Sequence, residues 1–482
     1  MLSADVLVYD VGTSSLKLVL YGEGGQIIRQ QSISYEYQTP HPDWAEIDPA
    51  AWADALFQGL QSFANDGLLK TLKAISGTGQ MHSGVFLDEA GQALTPCILW
   101  LDRRAEQETL ELVEHFKLPP FMLNTTYTLP KIAWMKKYLP DVLSRARKLV
   151  WPKDYLRYLL TGTVATDPTE GVGAALLDWQ TGTWATDRLQ HIGCDVELLP
   201  PILPSDAAAG TVLPAVAERY GIPSDVKVFT GYGDMIALLG GAPHEPGRLV
   251  YSLGSSSMFF TMVDQANKTA EHNSLYTLEL GGYHLFGGVS STTGASLMWF
   301  FENVYQQGTL PEMAEAAWTV SPGCDGLVFL PYLAGERSPY WSDRIAGGFY
   351  GARLQHKKQH FARAVLEGVA YSIRHAIDLY AQSGVVIREI ALAAGGVRTP
   401  GWAQLISDIC GLPVSIFAAQ DTVTKVVDAM CRSKLYGGDI NAILLNSFTE
   451  SQRLLPDANH SAAYQKTYAR YRRFSQFAAD CD

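Results

Sequence analysis

The sequence predicts an α/β protein built twice: two mixed sheets, each opening with a β-meander and continuing through alternating helices and strands, with a cleft between them. Two observations carry this expectation. Residues 7–15 (LVYDVGTSS) and 249–257 (LVYSLGSSS) agree at six of nine positions and stand half a chain apart. In each copy a β-rich run meets a small-residue turn hinged on Gly12 or Gly254, and a second β-rich run follows at residues 16–21 or 258–263. Each therefore reads as a hairpin whose turn presents backbone N–H groups and hydroxyls, the equipment of a phosphate-binding turn. The second observation is that helical and extended patterns alternate after both hairpins.

In chain order, the turn at 22–25 leads into an extended stretch at 26–34, which completes a three-stranded meander. Asp48 is a good N-cap with Pro49 at the first helical position, and Trp52, Leu56, Leu60 and Phe63 then recur at helical spacing. Residues 72–76 read as a strand ending in Gly77, Thr78 and Gly79. In the second half, residues 361–381 form a long amphipathic helix through Ala364, Val365, Gly368, Tyr371 and Ile377, followed by a strand at 387–393 and a glycine loop at 394–397. The Gly/Pro-rich stretch at 243–246 marks the main boundary, giving domains at 1–243 and 244–482.

The 482 residues carry 37 Lys plus Arg against 49 Asp plus Glu, a formal charge of −12 that argues against nucleic acid as a partner. Hydrophobic residues make up 47% and charged residues 18%, which excludes a disordered chain. No apolar stretch approaches a membrane span, and the N-terminus shows no basic leader or cleavage site. The six cysteines form no CxxC pair and read as free thiols in a reducing compartment. A cytoplasmic protein without membrane partners is expected.

The two hairpins differ where chemistry would be affected. Asp10 and Lys17 of the first become Ser252 and Phe259 in the second, so only the first offers a carboxylate for hydrated Mg²⁺ and a cation for a phosphate. Two opposed phosphate turns suit a nucleoside triphosphate bridging two domains. No GxxxxGK[ST], protein-kinase loop set, HExxH or GxSxG occurs, so ATP-dependent chemistry has to rest on an actin-like type of site. Gln80, Met81 and His82 after a strand, with Asp102 after Trp100, supply polar groups for the hydroxyls of an uncharged polyol.

The segments 10–17 (DVGTSSLK), 44–52 (WAEIDPAAW), 79–82 (GQMH), 100–103 (WLDR), 152–156 (PKDYL), 231–234 (GYGD), 252–256 (SLGSS), 335–337 (GER) and 394–398 (AGGVR) resemble, in order, the FGGY family of carbohydrate kinases. The resemblance runs from residue 5 to about residue 412. It implies two actin-like (ribonuclease-H-like) domains and transfer of the γ-phosphoryl of ATP to a terminal hydroxyl, with Asp234 as general base and a substrate ligand. It further implies Asp10 on Mg²⁺, Thr13, Ser14 and Lys17 along one side of the phosphates, Gly254, Ser255 and Ser256 along the other, and Gly395 and Gly396 close to the nucleoside. The segments 80–82 and 152–156 resemble the branch that phosphorylates D-xylulose, a ketopentose. Residues 82–83, 326–332 and 356–358 are also similar to the branch that takes gluconate, the alternative acceptor. The pair Lys357 and Lys358 reads as a solvated surface feature.

The chain departs from the pattern at Met235, where Asn is usual, at Ser255 for Thr, at Ala394 for Gly, and over 421–438, where bulkier side chains replace a Gly-Ala-Ala helix near the nucleotide. A non-catalytic sugar sensor and an actin-like ATPase are the rival classes. Against the first stand Asp10, Lys17 and Asp234 together; against the second stand Gln80, His82 and Asp102. The expected partners are a small-molecule sugar and ATP, and a homodimer is compatible with the chain.

Overall fold

The apolar alternation of the first hairpin becomes two strands, Val6–Val11 and Ser15–Tyr21, paired antiparallel so that Asp10 stands opposite Lys17. The computed structural model describes residues 3–481 apart from 119–122, 179–180, 236–241, 266–273, 281–282, 343, 394, 418–421 and 449. Two compact units emerge, Met1–Leu238 with Asp421–Leu444, and Leu239–Gln420 with Leu445–Asp482. Among the described residues no helix is long and apolar enough to cross a membrane.

In the first unit the expected meander is present: Ile27–Ser34 pairs antiparallel with Ser15–Tyr21. On the other side of Val6–Val11 lies Ala74–Gly79, parallel to it, followed by Lys227–Phe229 and then the antiparallel strand Ala208–Thr211. The short strand Tyr232–Gly233 also pairs parallel with Ala74–Gly79, at Thr78 and Gly79. The predicted strand at 72–76 thus runs on through Gly79, because Gly77 and Gly79 leave room for the Tyr9 ring and the Val11 side chain across the ladder. Asp48 caps the helix Pro49–Asn65, accepting from Ala50 N at 2.9 Å. Its buried face, Trp52, Leu56, Leu60 and Phe63, packs with Leu7, Tyr9, Val11, Leu16, Leu18 and Leu20 of the hairpin.

The helix Thr422–Tyr436 packs against Val6–Val11 and Ala74–Gly79, where the Tyr21 hydroxyl meets Thr424 Oγ1 at 2.7 Å. A single division at residue 243 does not describe this return of 421–444 to the first unit. Its physical cause is the apolar run the sequence singles out: Val426, Val427, Met430 and Cys431 are each at most 1% exposed. Their bulk fills a helix–sheet interface that the hairpin alone would leave open to water.

The second unit repeats the plan. Arg248–Ser252 and Ser257–Val263 form the hairpin, Tyr283–Ser290 and Tyr276–Leu280 extend it antiparallel, and Glu389–Ala393 and Val414–Phe417 continue in parallel from Arg248–Ser252. Glu450–Leu454 closes that edge antiparallel. The long predicted helix spans Lys358–Gln382 and buries Ala364, Val365, Gly368 and Tyr371, while Lys357 and Lys358 at its start are exposed. Two seven-stranded mixed sheets therefore stand where the sequence predicts a duplicate.

A Cβ placed on Gly77 would come 2.0 Å from the Tyr9 ring, whose hydroxyl is already tied to Lys153 O at 3.0 Å. Gly77→Ala should therefore cost about 1 to 3 kcal/mol of stability, the usual price of overpacking, read as a lowered urea midpoint with unchanged slope.

Candidate active site

The first turn is tightened by Gly12 N donating to Ser15 O at 3.0 Å. The Gly12 carbonyl accepts from Tyr35 OH at 2.7 Å and from Gln80 Nε2 at 3.1 Å. Thr13 Oγ1 accepts from Trp100 Nε1 at 3.1 Å, and Ser14 at the tip is exposed. Asp10 is in register with Lys17 on one side and Thr78 on the other, so the three stand in one row across the sheet. The Thr78 hydroxyl in that row is buried and has no hydrogen-bond partner among the described residues.

Gln80, Met81 and His82 follow directly from Ala74–Gly79, so the strand end aims them. Gln80 is 2% exposed, and its Oε1 is left without a donor among the described residues. His82 holds a left-handed backbone with φ +68°, costly for a residue with a Cβ and frequent at functional sites. Its ring Nδ1 bonds the Gly173 carbonyl and its plane meets Tyr127 edge-on at 4.9 Å. Beneath it the buried Lys131 donates to His82 O at 3.2 Å and Thr126 O at 2.7 Å, and burial lowers the Lys131 pKa to about 7.

Asp234 immediately follows Tyr232–Gly233, and its carboxylate accepts backbone N–H groups that include Met81's. Met81 also packs against Gly233 and Gly173, either of which would meet it at 2.6 Å if it carried a Cβ. Burial, then the charge of Asp10, raises the Asp234 pKa to about 7 against the pull of those N–H groups. The structure thus gathers Asp10, Gln80, Met81, His82 and Asp234 at the carboxyl ends of three parallel strands. Asp102 is handled differently. It accepts from Ala45 N at 2.6 Å and grips the Arg104 guanidinium, with Nη2 at 2.7 Å and Nε at 2.9 Å, so its oxygens are engaged by its own loop and by the distant Ala45 backbone.

In the second unit the turn is held from behind. Gly254 O accepts from Gly294 N at 2.8 Å and Thr293 Oγ1 at 2.9 Å, and Ser255 O accepts from Thr293 N at 2.9 Å. Ser255 and Ser256 are exposed. Ser252, at the position matching Asp10, exchanges bonds with the hairpin instead, taking Met258 N at 2.9 Å. Gly395 and Gly396 lie in a 3₁₀ turn, where Gly396 N donates to Leu253 O at 2.8 Å and a Cβ on Gly396 would strike Leu253 at 2.6 Å. The glycine turn is thereby laid beside the second hairpin turn; Ala394 lies outside the described residues.

Sequence reasoning passes over Lys131 and the buried ionic group made by Lys153, Asp154, Arg157 and Asp167. A signal was present: Asp167 with Pro168 is an N-cap and first-turn pair like Asp48 with Pro49. Its reach to Lys153 was not legible, since it joins two helices through side chains.

Paired hairpins on duplicated mixed sheets are the framework of an ATP-dependent phosphotransferase with an alcohol acceptor. Residues 6–240 match the N-terminal domain, and residues 249–424 the C-terminal domain, of the FGGY family of carbohydrate kinases. The chain belongs to that family. It is 34% identical over 421 residues to a xylulose kinase of Lactococcus lactis, covering 84% of this chain and 82% of that one. Solved structures of a gluconate kinase and a ligand-bound xylulose kinase, both from Lactobacillus acidophilus, each superpose with a TM-score of 0.89 at 25% identity over 98% of both chains.

The Asp234 carboxyl ionises near the ordinary aspartate value of about 3.9 when unfolded but holds its proton to about 7 when folded. Its contribution to stability is therefore full below pH 4 and lost as pH rises through about 7. Asp234→Asn should match the parent's melting temperature near pH 4 and exceed it above pH 7, a divergence that a thermal-shift series over pH will show.

Proposed function

We propose that this chain transfers the γ-phosphoryl group of ATP to the terminal hydroxyl of a ketopentose, D-xylulose, with Asp234 as the general base. The observation that carries the reading is Asp234 itself. It is a carboxylate kept partly from water beside a second carboxylate, with proton affinity tuned near neutrality, next to the unsatisfied Gln80 Oε1 and the strained His82. As the sugar oxygen attacks phosphorus, Asp234 takes its proton; the O–P bond to the sugar forms while the bond to ADP breaks. Gln80 and His82 orient the sugar hydroxyls, Met81 shapes the wall against Gly233, and Asp102 acts by holding the loop of Trp100.

Phosphate contacts fall to Thr13, Ser14 and Lys17 in the first unit and to Gly254, Ser255 and Ser256 in the second, with Gly395 and Gly396 admitting the nucleoside. Mg²⁺ fits the residues present. Asp10 raises the proton affinity of Asp234, and the Thr78 hydroxyl beside it lacks a partner, so a hydrated cation held by Asp10 relieves both conditions. When bound, such a cation neutralises charge on the phosphates. Among the described residues no group of three or more His, Cys, Asp or Glu could hold a metal ion.

Gluconate is the second reading, favoured by the gluconate kinase likeness. Against it, the Lys131 amine behind His82 is committed to two carbonyl oxygens and loses charge near neutrality, a poor partner for an aldonate carboxylate.

ADP release measured with Mg²⁺-ATP over pentuloses, aldonates and polyols should be fastest with D-xylulose; a higher kcat/KM for gluconate would replace the assignment, and sugar binding without ADP release would point to a sensor. Asp234→Asn should lower kcat by about 10²- to 10⁴-fold, roughly 3 to 5.5 kcal/mol of barrier, with sugar affinity little changed. In the parent, kcat/KM should climb with pH to about 7 and level off, following ionisation of the base.

A further inference from the structure

The loop that delivers Asp234 is pinned along its length. Thr230 N donates to Ala207 O at 3.0 Å, Thr230 O accepts from Arg157 Nη1 at 3.2 Å, and Gly231 N donates to Ser205 O at 2.8 Å. Gly231 has φ +82°, and a Cβ there would lie 1.9 Å from Gly77 O, so the backbone is pressed onto the neighbouring strand. One bond remains next to the carboxylate-bearing residue: Gly233 N donates to Thr169 Oγ1 at 2.8 Å.

That hydroxyl has a single hydrogen, and it goes to Asp167 Oδ2 at 2.7 Å. The same oxygen accepts from Ser205 Oγ at 2.7 Å, and Asp167 Oδ1 forms an ion pair with Lys153 Nζ at 2.9 Å. The side chains of Lys153, Asp154, Arg157 and Asp167 are all fully shielded from solvent. Lys153 shares Asp154 Oδ1 with Arg157 Nη1, each at 2.7 Å, and its main-chain carbonyl accepts from Tyr9, the residue before Asp10. A buried ammonium held by two carboxylates cannot shed its charge cheaply, and the bonds from the Thr169 and Ser205 hydroxyls use Asp167 Oδ2 as their acceptor. As an acceptor it forces the Thr169 proton toward itself and leaves a Thr169 lone pair facing Gly233 N–H.

We propose that Asp167 is a positioning residue for Asp234, acting through the hydroxyls of Thr169 and Ser205 to set the backbone from which the base projects. The inference rests on the assignment of Asp234 as general base. It gives the ionic group a purpose that stability alone does not require, since buried ion pairs of this kind are often no more stabilising than apolar residues of the same volume.

The test compares Thr169→Val, which keeps shape and removes the hydroxyl, with Thr169→Ser, which restores it. Thr169→Val should lower kcat by about 10- to 100-fold, as loss of an orienting partner does, and move the acid limb of the kcat/KM profile. Sugar KM should change little, and Thr169→Ser should stand within about twofold of the parent. If Thr169→Val does not fold, Ser205→Ala serves, with a smaller loss of kcat in the same direction. Parent-like kcat and pH profile in Thr169→Val, or a Thr169→Ser as impaired as Thr169→Val, overturns the proposal. Asp234→Asn assayed in parallel separates the two ideas: full turnover there removes the base assignment and this inference together, whereas its loss with an unaffected Thr169→Val removes this inference alone.

Discussion

A carboxylate that is to take a proton from an alcohol at neutral pH must be withdrawn from water without being paired to a fixed cation, because either full hydration or an ion pair would leave it too weak a base. For Asp234 as the proposed base, the carboxyl ends of the parallel strands in the first unit provide that compromise. Asp234 is shielded by its loop and by Met81, Asp10 adds a like charge, and backbone N–H groups keep the ionised form accessible. Everything else near the site serves this balance. Several cations of the first unit are committed to other groups: Arg104 to Asp102 and Glu46, Lys153 and Arg157 to Asp154, Lys131 to carbonyl oxygens.

The duplication supplies the same hairpin twice and uses it for different ends. At the matching position Asp10 stands in a row with Lys17 and Thr78, whereas Ser252 turns its hydroxyl onto Met258 and stiffens its own turn. The second hairpin is then buttressed by Thr293 and Gly294 and flanked by Gly396. The first carries Asp10 and Lys17 where the second has Ser252 and Phe259. One fold module thus serves as scaffold in both units and presents different side chains in each.

Much of this was legible before any coordinates. The nine-residue repeat, the Asp48–Pro49 helix start and the amphipathic run beginning near Phe361 depend on near neighbours and on simple periodicity, and each became the element its pattern describes. The site was legible only in part. Asp10 lies near the end of its strand and Gln80, His82 and Asp234 follow strand ends, so locating the strands locates them. Asp102 carries the same polar side chain, yet its oxygens serve Ala45 and Arg104; nothing in the order of residues distinguishes a ligand from a brace.

By itself the sequence determined the duplicated α/β plan, the asymmetry between Asp10 and Ser252, and the order of motifs that places the chain among carbohydrate kinases, because these reside in short-range pattern and residue identity. Only the tertiary structure decided that residues 421–444 pack with the first unit, that Lys131 lies under His82, and that Asp167 reaches Gly233 through a single hydroxyl. Those relations join residues dozens to hundreds of positions apart. They arise from the need to cover apolar surface and to satisfy buried polar groups, conditions that exist only once the sheets have formed and water has been excluded.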